Sequence, residues 1–338
     1  MNGEAPLVSV VIPCRNEVKA IRKTVLAILA SEYPNVEVIV VDGMSQDGTR
    51  AVLMDLCSED HRVRMVDNPQ KLTPFAFNLG IKQARGEYIQ IVGSRNVLAP
   101  DYLSILVDAL QQHDDVDCVG GDYQHVSDTP GGKYIALAME SKFGVGMGNY
   151  RTMKEDVLVD TVGVPMYRRA IFNEVGLFDE ALTRNQDDDF NFRLTRKGRK
   201  ILYVHNAKTT YLVRASFEKA FHQFFQYGYF KVFVNRKHKR VTTARQMIPP
   251  AFVAALVVGF LLSLVSSHFR VLFNVMIVTY GILGMAMAGK NLGFVERAQV
   301  VFCCFIMHMG YGLGYWQGIW DFLIIGRPPR QEMQRQTT

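Results

Sequence analysis

Three stretches of this chain carry no Lys, Arg, Asp or Glu: Gln246 to Phe269, Val271 to Gly289, and Ala298 to Trp320. A helix of about 20 apolar residues crosses the ~30 Å hydrocarbon core of a bilayer, and the first two stretches are long enough to do so. That pattern divides the 338 residues into a soluble head before Gln246 and a membrane region after it. The third stretch is less uniform. It holds His308, Gln317, the glycines Gly310, Gly312, Gly314 and Gly318 and both tryptophans, and it ends at Asp321. If it spanned, the tail with Arg327, Arg330 and Arg335 would lie on the non-cytoplasmic side, against the positive-inside rule. A re-entrant or interfacial segment avoids that conflict, so both placements stand.

The charge is localised as well. Lys231, Arg236, Lys237, Lys239, Arg240 and Arg245 contribute six positive charges with no acid between them, numerically the whole net charge of +6. Directly before an apolar stretch, such a run reads as a cytoplasmic membrane flank rather than a nucleic-acid patch. Ahead of it Phe217, Phe221, Phe224 and Phe225 recur at helical spacing. That stripe fits a helix packed on its own domain and equally an in-plane helix at the lipid headgroups. The five cysteines form no CxxC pair, which fits a reducing compartment and argues against a structural zinc site. MNGEAPLVSV has no apolar signal core, so the head is expected on the cytoplasmic face, most simply of a bacterial inner membrane.

The head alternates two kinds of pattern. Val8–Pro13, Val36–Val41, Val63–Asp67 and Tyr88–Val92 are short β-branched or apolar runs, while Val18–Ala30, Thr49–Cys57 and Phe75–Ala84 have helical spacing. Alternation of this kind predicts an α/β fold with a parallel sheet and crossover helices. Ligands in such sheets bind beyond the carboxyl ends of the strands, here the loops after Pro13, Val41 and Val92. The expected division is a head over 1–212, an amphipathic and basic interfacial segment over 213–245, a membrane region over 246–326 and a polar tail over 327–338. Within the membrane region the spans are expected at 247–267 and 270–289, with the third segment at 298–320.

Five blocks in order carry a family resemblance. They are Val8-Ser-Val-Val-Ile-Pro-Cys-Arg-Asn-Glu17, Val36 to Thr49 with Asp42-Gly-Met-Ser-Gln-Asp47, Asn78-Leu-Gly80 with Ala84-Arg-Gly-Glu-Tyr-Ile89, Val175-Gly-Leu-Phe-Asp-Glu180, and Asp187-Asp-Asp-Phe-Asn-Phe-Arg193. Over roughly residues 7 to 235 the chain resembles the family 2 glycosyltransferases, and with its membrane region it is similar to exopolysaccharide enzymes of the succinoglycan type. The resemblance implies a GT-A fold, a Rossmann-like mixed sheet. It also implies a nucleotide-diphosphate sugar donor, inversion at the anomeric carbon and, usually, a divalent Mg²⁺ or Mn²⁺.

By the same resemblance Pro13, Arg15, Glu17, Asp42 and Asp47 fall where the family holds the nucleotide. Turn and cap chemistry accounts for Asp47 equally well. Gly43 stands where many members have a second acid. After Ile89 the family has an Asp-x-Asp element for the metal, and here Gly93-Ser94-Arg95 takes its place, leaving no metal ligand to name. A guanidinium is permanently charged and bidentate toward phosphate, so Arg95 is expected to substitute for the metal in neutralising the diphosphate. A degenerate site, or a metal held by Asp122 or another acid, are the other readings.

In the last block Gln186-Asp187 replaces the usual Glu-Asp, and Asp187 is expected to be the catalytic base, with Asp188 and Asp189 as close neighbours. The Gln-x-x-Arg-Trp element of processive members is absent, since the region reads Gln223-Phe-Phe-Gln-Tyr-Gly228. The expectation is single-sugar transfer to a lipid-linked saccharide acceptor in surface polysaccharide assembly. Membrane lipids and polysaccharide-assembly proteins are the expected partners, and nucleic acid is not. Arg214 and the basic run are candidates for the lipid diphosphate. Rival readings are transfer to polyprenyl phosphate and a non-catalytic pseudo-glycosyltransferase.

Overall fold

The computed structural model describes residues 5–127, 129–146, 150, 153–213, 216–289 and 291–334. In chain order the elements are β1 (Val8–Cys14), α1 (Ile21–Leu29), β2 (Val36–Asp42), α2 (Thr49–Glu59), β3 (Val63–Asp67), α3 (Thr73–Gln83), β4 (Tyr88–Ile91), β5 (Asn96–Leu98), α4 (Tyr102–Gln112) and β6 (Val116–Val126). Then come α5 (Pro130–Glu140), α6 (Lys142–Val145), β7 (Val157–Leu158), β8 (Met166–Arg168), α7 (Ile171–Val175), α8 (Gln186–Arg196) and β9 (Lys200–Leu212). The remainder is helical: α9 (Phe217–His238), α10 (Ile248–Val265), α11 (Ser267–Met287) and α12 (Phe294–Gly318), the last continued by a π-helical stretch Ile319–Ile325. Two compact units result. One gathers residues up to 124 with 153–212, the other 125–152 with the chain from 213 onward. Residues 125–152 thus group with the C-terminal helices.

The first unit is built on a nine-stranded sheet in the order β3-β2-β1-β4-β8-β6-β9-β5, with β7 beside β9. The β-branched runs of β1 to β4 pair in parallel, and from β4 onward the pairing to β8 is antiparallel. Strands covered on both faces need nearly continuous apolar sequence, broken here by Ser9 in β1 and by Glu37 and the terminal Asp42 in β2, and Val8, Val10 and Ile12 of β1 pack with Ile21, Val25 and Ile28 of α1. Each such side chain contributes about 1.5–3 kcal/mol when fully buried. Helix α3 lies so close to β1 that a Cβ on Gly80 would collide with Val11. Buried Glu37 is satisfied by Ser9 and by Arg64 and Arg85. The helix expected from Val18 begins at Ile21, because residues 16–18 are held in a loop that serves the site.

In the second unit α10 and α11 form an antiparallel hairpin turning at Ser266, with Phe260 against Phe273 and Phe252 stacked on Tyr280 at 4.6 Å. Helix α9 packs along α12. The glycines Gly310, Gly314 and Gly318 present backbone to the carbonyls of Phe221, Phe225 and Tyr229, where any Cβ would clash. The aromatic stripe of α9 thus faces α12. Among the described residues three helical segments are long and apolar enough to cross a membrane, Ala244–Val265, Ser267–Met287 and Phe294–Ile325. Of the basic run, Lys231 is buried and reaches Thr243 Oγ1, so it does not belong to the exposed flank, whereas Arg236, Lys237, Lys239 and Arg240 do. Arg214 lies outside the described residues.

Candidate functional site

Strand register sets the site. Cys14 pairs with Asp42 and Asp42 with Asp67, so the loops leaving β1 and β2 start side by side at one sheet edge. They are laced together. Asn16, in the left-handed conformation at φ 53°, donates its N–H to Ser45 Oγ at 2.8 Å and accepts from the Gln46 N–H at 2.9 Å. The Glu17 N–H reaches Thr49 Oγ1 at 2.9 Å, and the Val18 N–H reaches Asp47 at 3.3 Å. Asp47 also takes the Thr49 N–H and hydroxyl, which makes it the staple of the β2–α2 turn. Burial works to raise its pKa, and the bonds from Thr49 and Val18 outweigh this, leaving it lowered.

Asp42 is fully buried and accepts from the Ser45 N–H and hydroxyl and from Arg50 Nη1 at 2.7 Å. Arg50 also bonds Asp67, a bridge that sequence reading missed. Its signal was present, since adjacent parallel strands ending in Asp at matched positions need a cation between them. Pro13 is half-buried at the end of β1. The stem of Arg15 lies over Gly43, where an added Cβ would approach it to 3.2 Å, and its buried Nε has no hydrogen-bond partner among the described residues. The missing second acid therefore has a structural counterpart: glycine makes room for Arg15. Burial, and next the charge of Asp42, push the neighbouring Cys14 thiol well up, so it stays protonated.

Beyond β4, the turn Gly93–Asn96 is closed by the Asn96 N–H on Gly93 O at 3.0 Å and anchored by Thr24 Oγ1 on Ser94 O at 2.9 Å. Arg95 Nε donates to both oxygens of Glu17, at 3.0 and 2.8 Å. Two residues that sequence names separately are thus one partly buried ion pair. Among the described residues nothing accepts from the Arg95 Nη nitrogens, which are left as bidentate donors held in place by the Nε contact. Asp122, the alternative metal ligand, is paired with Lys208 at 3.0 Å. No group of three His, Cys, Asp or Glu able to hold a metal occurs among the described residues. The donor set at this turn does not fit a carboxylate-held divalent ion.

The last block opens α8. Asn185, at φ 58°, precedes the helix, and Asp187, Asp188 and Asp189 occupy its first turn, where the helix dipole favours carboxylates. Their environments differ. Asp189 is fully buried against Arg193 at 2.9 Å, and Arg193 continues to the carbonyls of Val175 and Leu177. Asp188 takes the Asn185 amide at 2.9 Å. Asp187 is the exposed member. Asn78 of the third block clamps Phe178 of the fourth through both amide atoms, each at 3.0 Å, which explains why those separated blocks occur together. Asn191 of α8 reaches Thr161, and Gln90 at the end of β4 donates to Val164 O, so α8 is tied to the edge that carries Arg95. Among the described residues, buried Thr183 Oγ1, Asn185 Oδ1 and Gln186 Oε1 have no hydrogen-bond partner, and they lie on the segment just before Asp187. Burial raises the Tyr167 phenol well up, with Cys118 and then Asp187 adding to it.

Residues 9–176 match the family described as Glycosyl transferase family 2. The chain is 30% identical to the succinoglycan biosynthesis protein ExoA of Rhizobium meliloti (strain 1021) over 318 residues, 93% of this chain and 95% of that protein. It is 29% identical over 239 residues to the dolichyl N-acetyl-alpha-D-glucosaminyl phosphate 3-beta-D-2,3-diacetamido-2,3-dideoxy-beta-D-glucuronosyltransferase of Methanococcus voltae, 68% of this chain and 74% of that protein. Among solved structures it resembles the mannosyltransferase PcManGT from Pyrobaculum calidifontis in complex with GDP-Man and Mn2+. The TM-score is 0.62 at 17% identity, over 93% of this chain and 87% of that one.

Proposed function

The chain belongs to the family 2 glycosyltransferases and has their GT-A fold, and from that premise we propose an inverting, non-processive transfer of one sugar from a nucleotide-diphosphate donor to a lipid-linked saccharide in surface polysaccharide biosynthesis. The observation that carries the chemistry is the division of labour in α8. Asp189 is fully buried, Asp188 half-buried, and Asp187 exposed at the helix start. In this reading Asp187 removes the proton of the acceptor hydroxyl as its oxygen attacks the anomeric carbon opposite the leaving group. The departing nucleoside diphosphate gathers negative charge, which the Nη face of Arg95 neutralises. Arg15, its stem over Gly43 beside Asp42, is the further cation given to the nucleotide. The solved neighbour holds GDP-Man with Mn2+; no step here runs through a metal, because the donors at the β4 turn are the wrong ones.

The name of the Methanococcus relative gives a dolichyl-linked sugar phosphate as acceptor, which supports a lipid-linked saccharide over bare polyprenyl phosphate. The lack of Gln-x-x-Arg-Trp supports single transfer, and the basic flank before the hairpin supports a head on the cytoplasmic face. The test is product analysis. Purified protein with native lipid extract and a panel of nucleotide sugars should extend a lipid-linked saccharide by one residue. A single sugar placed directly on the lipid phosphate, with no saccharide extended, would replace this acceptor assignment, and a polymer would refute single transfer.

A further inference from the structure

We infer that α12, although long and apolar enough to span, lies in the plane of the membrane surface as the centre of a three-helix raft, and that the α10–α11 hairpin alone crosses. Moving along α12 from Phe305 to Trp316, its partners on α10 stay within the first turn: Phe252 meets Phe305 and His308, Gly312 lies on Pro249 and Val253, and Trp316 Nε1 donates to Pro250 O at 3.0 Å. Eleven residues advance a helix by ~16 Å, and the partners 249–253 cover only ~6 Å, so the two axes cross at roughly 70°. The same holds on α11, where Arg297, Val301 and His308 meet Met285, Gly284 and Tyr280 in turn. Beyond these bases the hairpin is exposed on its outer faces, at Val257, Val258, Leu261, Leu264, Leu272 and Val275.

Two other helices run with α12 instead of across it. On α9, Phe221, Phe225 and Tyr229 match Gly310, Gly314 and Gly318, eight residues for eight and in the same direction. On the α5–α6 side Lys133 meets Glu296 and Ser141 meets Cys304, again eight for eight. Helix α9 exposes Glu218, Lys219 and His222 and buries Gln226 and Lys231, and no such helix can sit in hydrocarbon. Since α9 and α12 are side by side and aligned, α12 lies at the interface too. Its outer face is Phe302, Leu313, Trp316 and Trp320. Both tryptophans of the chain are therefore half-exposed, at 45% and 51%, where interfacial tryptophans belong. The partner of this face is the headgroup–acyl boundary of the leaflet that the hairpin enters. The tail then folds back on the same face. Arg327 and Arg330 hold the buried Asp321, and the Arg330 N–H reaches the Tyr229 hydroxyl. Placed there, the tail obeys the positive-inside rule.

The inference rests on the membrane attachment proposed above, and the test separates the two. In full-length protein carrying Cys57→Ser, the other native cysteines being buried, single cysteines are placed at Lys239, His268 and Glu332. Each is labelled with a membrane-impermeant maleimide in right-side-out and inside-out vesicles. Glu332→Cys should react from the same face as Lys239→Cys, and His268→Cys from the opposite face. Glu332→Cys reacting together with His268→Cys, opposite Lys239→Cys, would overturn the raft and make α12 a third span. Lys239→Cys and His268→Cys reacting from one face would instead overturn the crossing hairpin itself.

Discussion

Arg95→Ala probes the feature in which this chain departs most from its family. The Nε of Arg95 is spent on Glu17, so what the substitution removes from the donor is the bidentate Nη face. Hydrogen bonds to a charged partner contribute about 1.5–3 kcal/mol, which at 1.4 kcal/mol per decade gives roughly 12- to 150-fold weaker binding of the nucleoside diphosphate. The variant also leaves the Glu17 carboxylate without its cation and beside the diphosphate. That repulsion adds about 1 kcal/mol at the solvent edge, near fivefold. Glu17→Gln in the Arg95→Ala background should therefore regain about fivefold. The assay is calorimetric titration of UDP and GDP in EDTA, with the matching nucleoside as control and a thermal melt to show that the variant is folded. The nucleoside should bind wild type and variant alike. Unchanged diphosphate affinity in folded Arg95→Ala, or an equal loss for the nucleoside, would refute the idea that Arg95 is the cation.

Three further outcomes are expected. Asp187→Asn should lower turnover by about 10²–10⁴-fold with donor affinity nearly unchanged, whereas Asp189→Asn strands Arg193 and should lower stability by about 3 kcal/mol; turnover and melting separate the two. Gly314→Ala places a methyl against Phe225 O and should destabilise the protein in detergent by about 1–3 kcal/mol, while Gly281→Ala, with open space around it, should not. The Glu37 pKa is lowered below its usual 4.5, because bonds from Ser9, Arg85 and Arg64 outweigh the burial that would raise it. The stability it gives is full above 4.5 and is lost as pH falls through the lower folded value. Melting temperature measured downward from pH 5 should fall more steeply in wild type than in Glu37→Gln.

The sheet was legible because a parallel strand covered on both faces has to be a nearly continuous apolar run, as Val36–Val41 is apart from Glu37. The order of the site blocks was legible for a similar reason: catalytic loops follow strand ends, and strand ends can be read. What escaped were links between distant residues. Nothing local to Glu17 or Arg95 says that they pair across 78 positions, or that Arg50 joins Asp42 to Asp67. Nor does anything local to Lys133 or Ser141 point to Glu296 and Cys304, far along the chain. Hydropathy leaves α12 open between a third span and an interfacial segment. An apolar stretch reports affinity for lipid without reporting direction, and the glycine stripe that aligns α12 with the polar α9 carries the missing information.

The central claim is that this is an active glycosyltransferase in which a fixed guanidinium does the work usually given to a metal. Its most direct test is nucleotide release from a sugar donor by the detergent-purified protein with native lipid acceptor, in the presence and absence of EDTA. Release should persist in EDTA and vanish in Asp187→Asn. Release abolished by EDTA and restored by Mg²⁺ or Mn²⁺ would contradict the role given to Arg95.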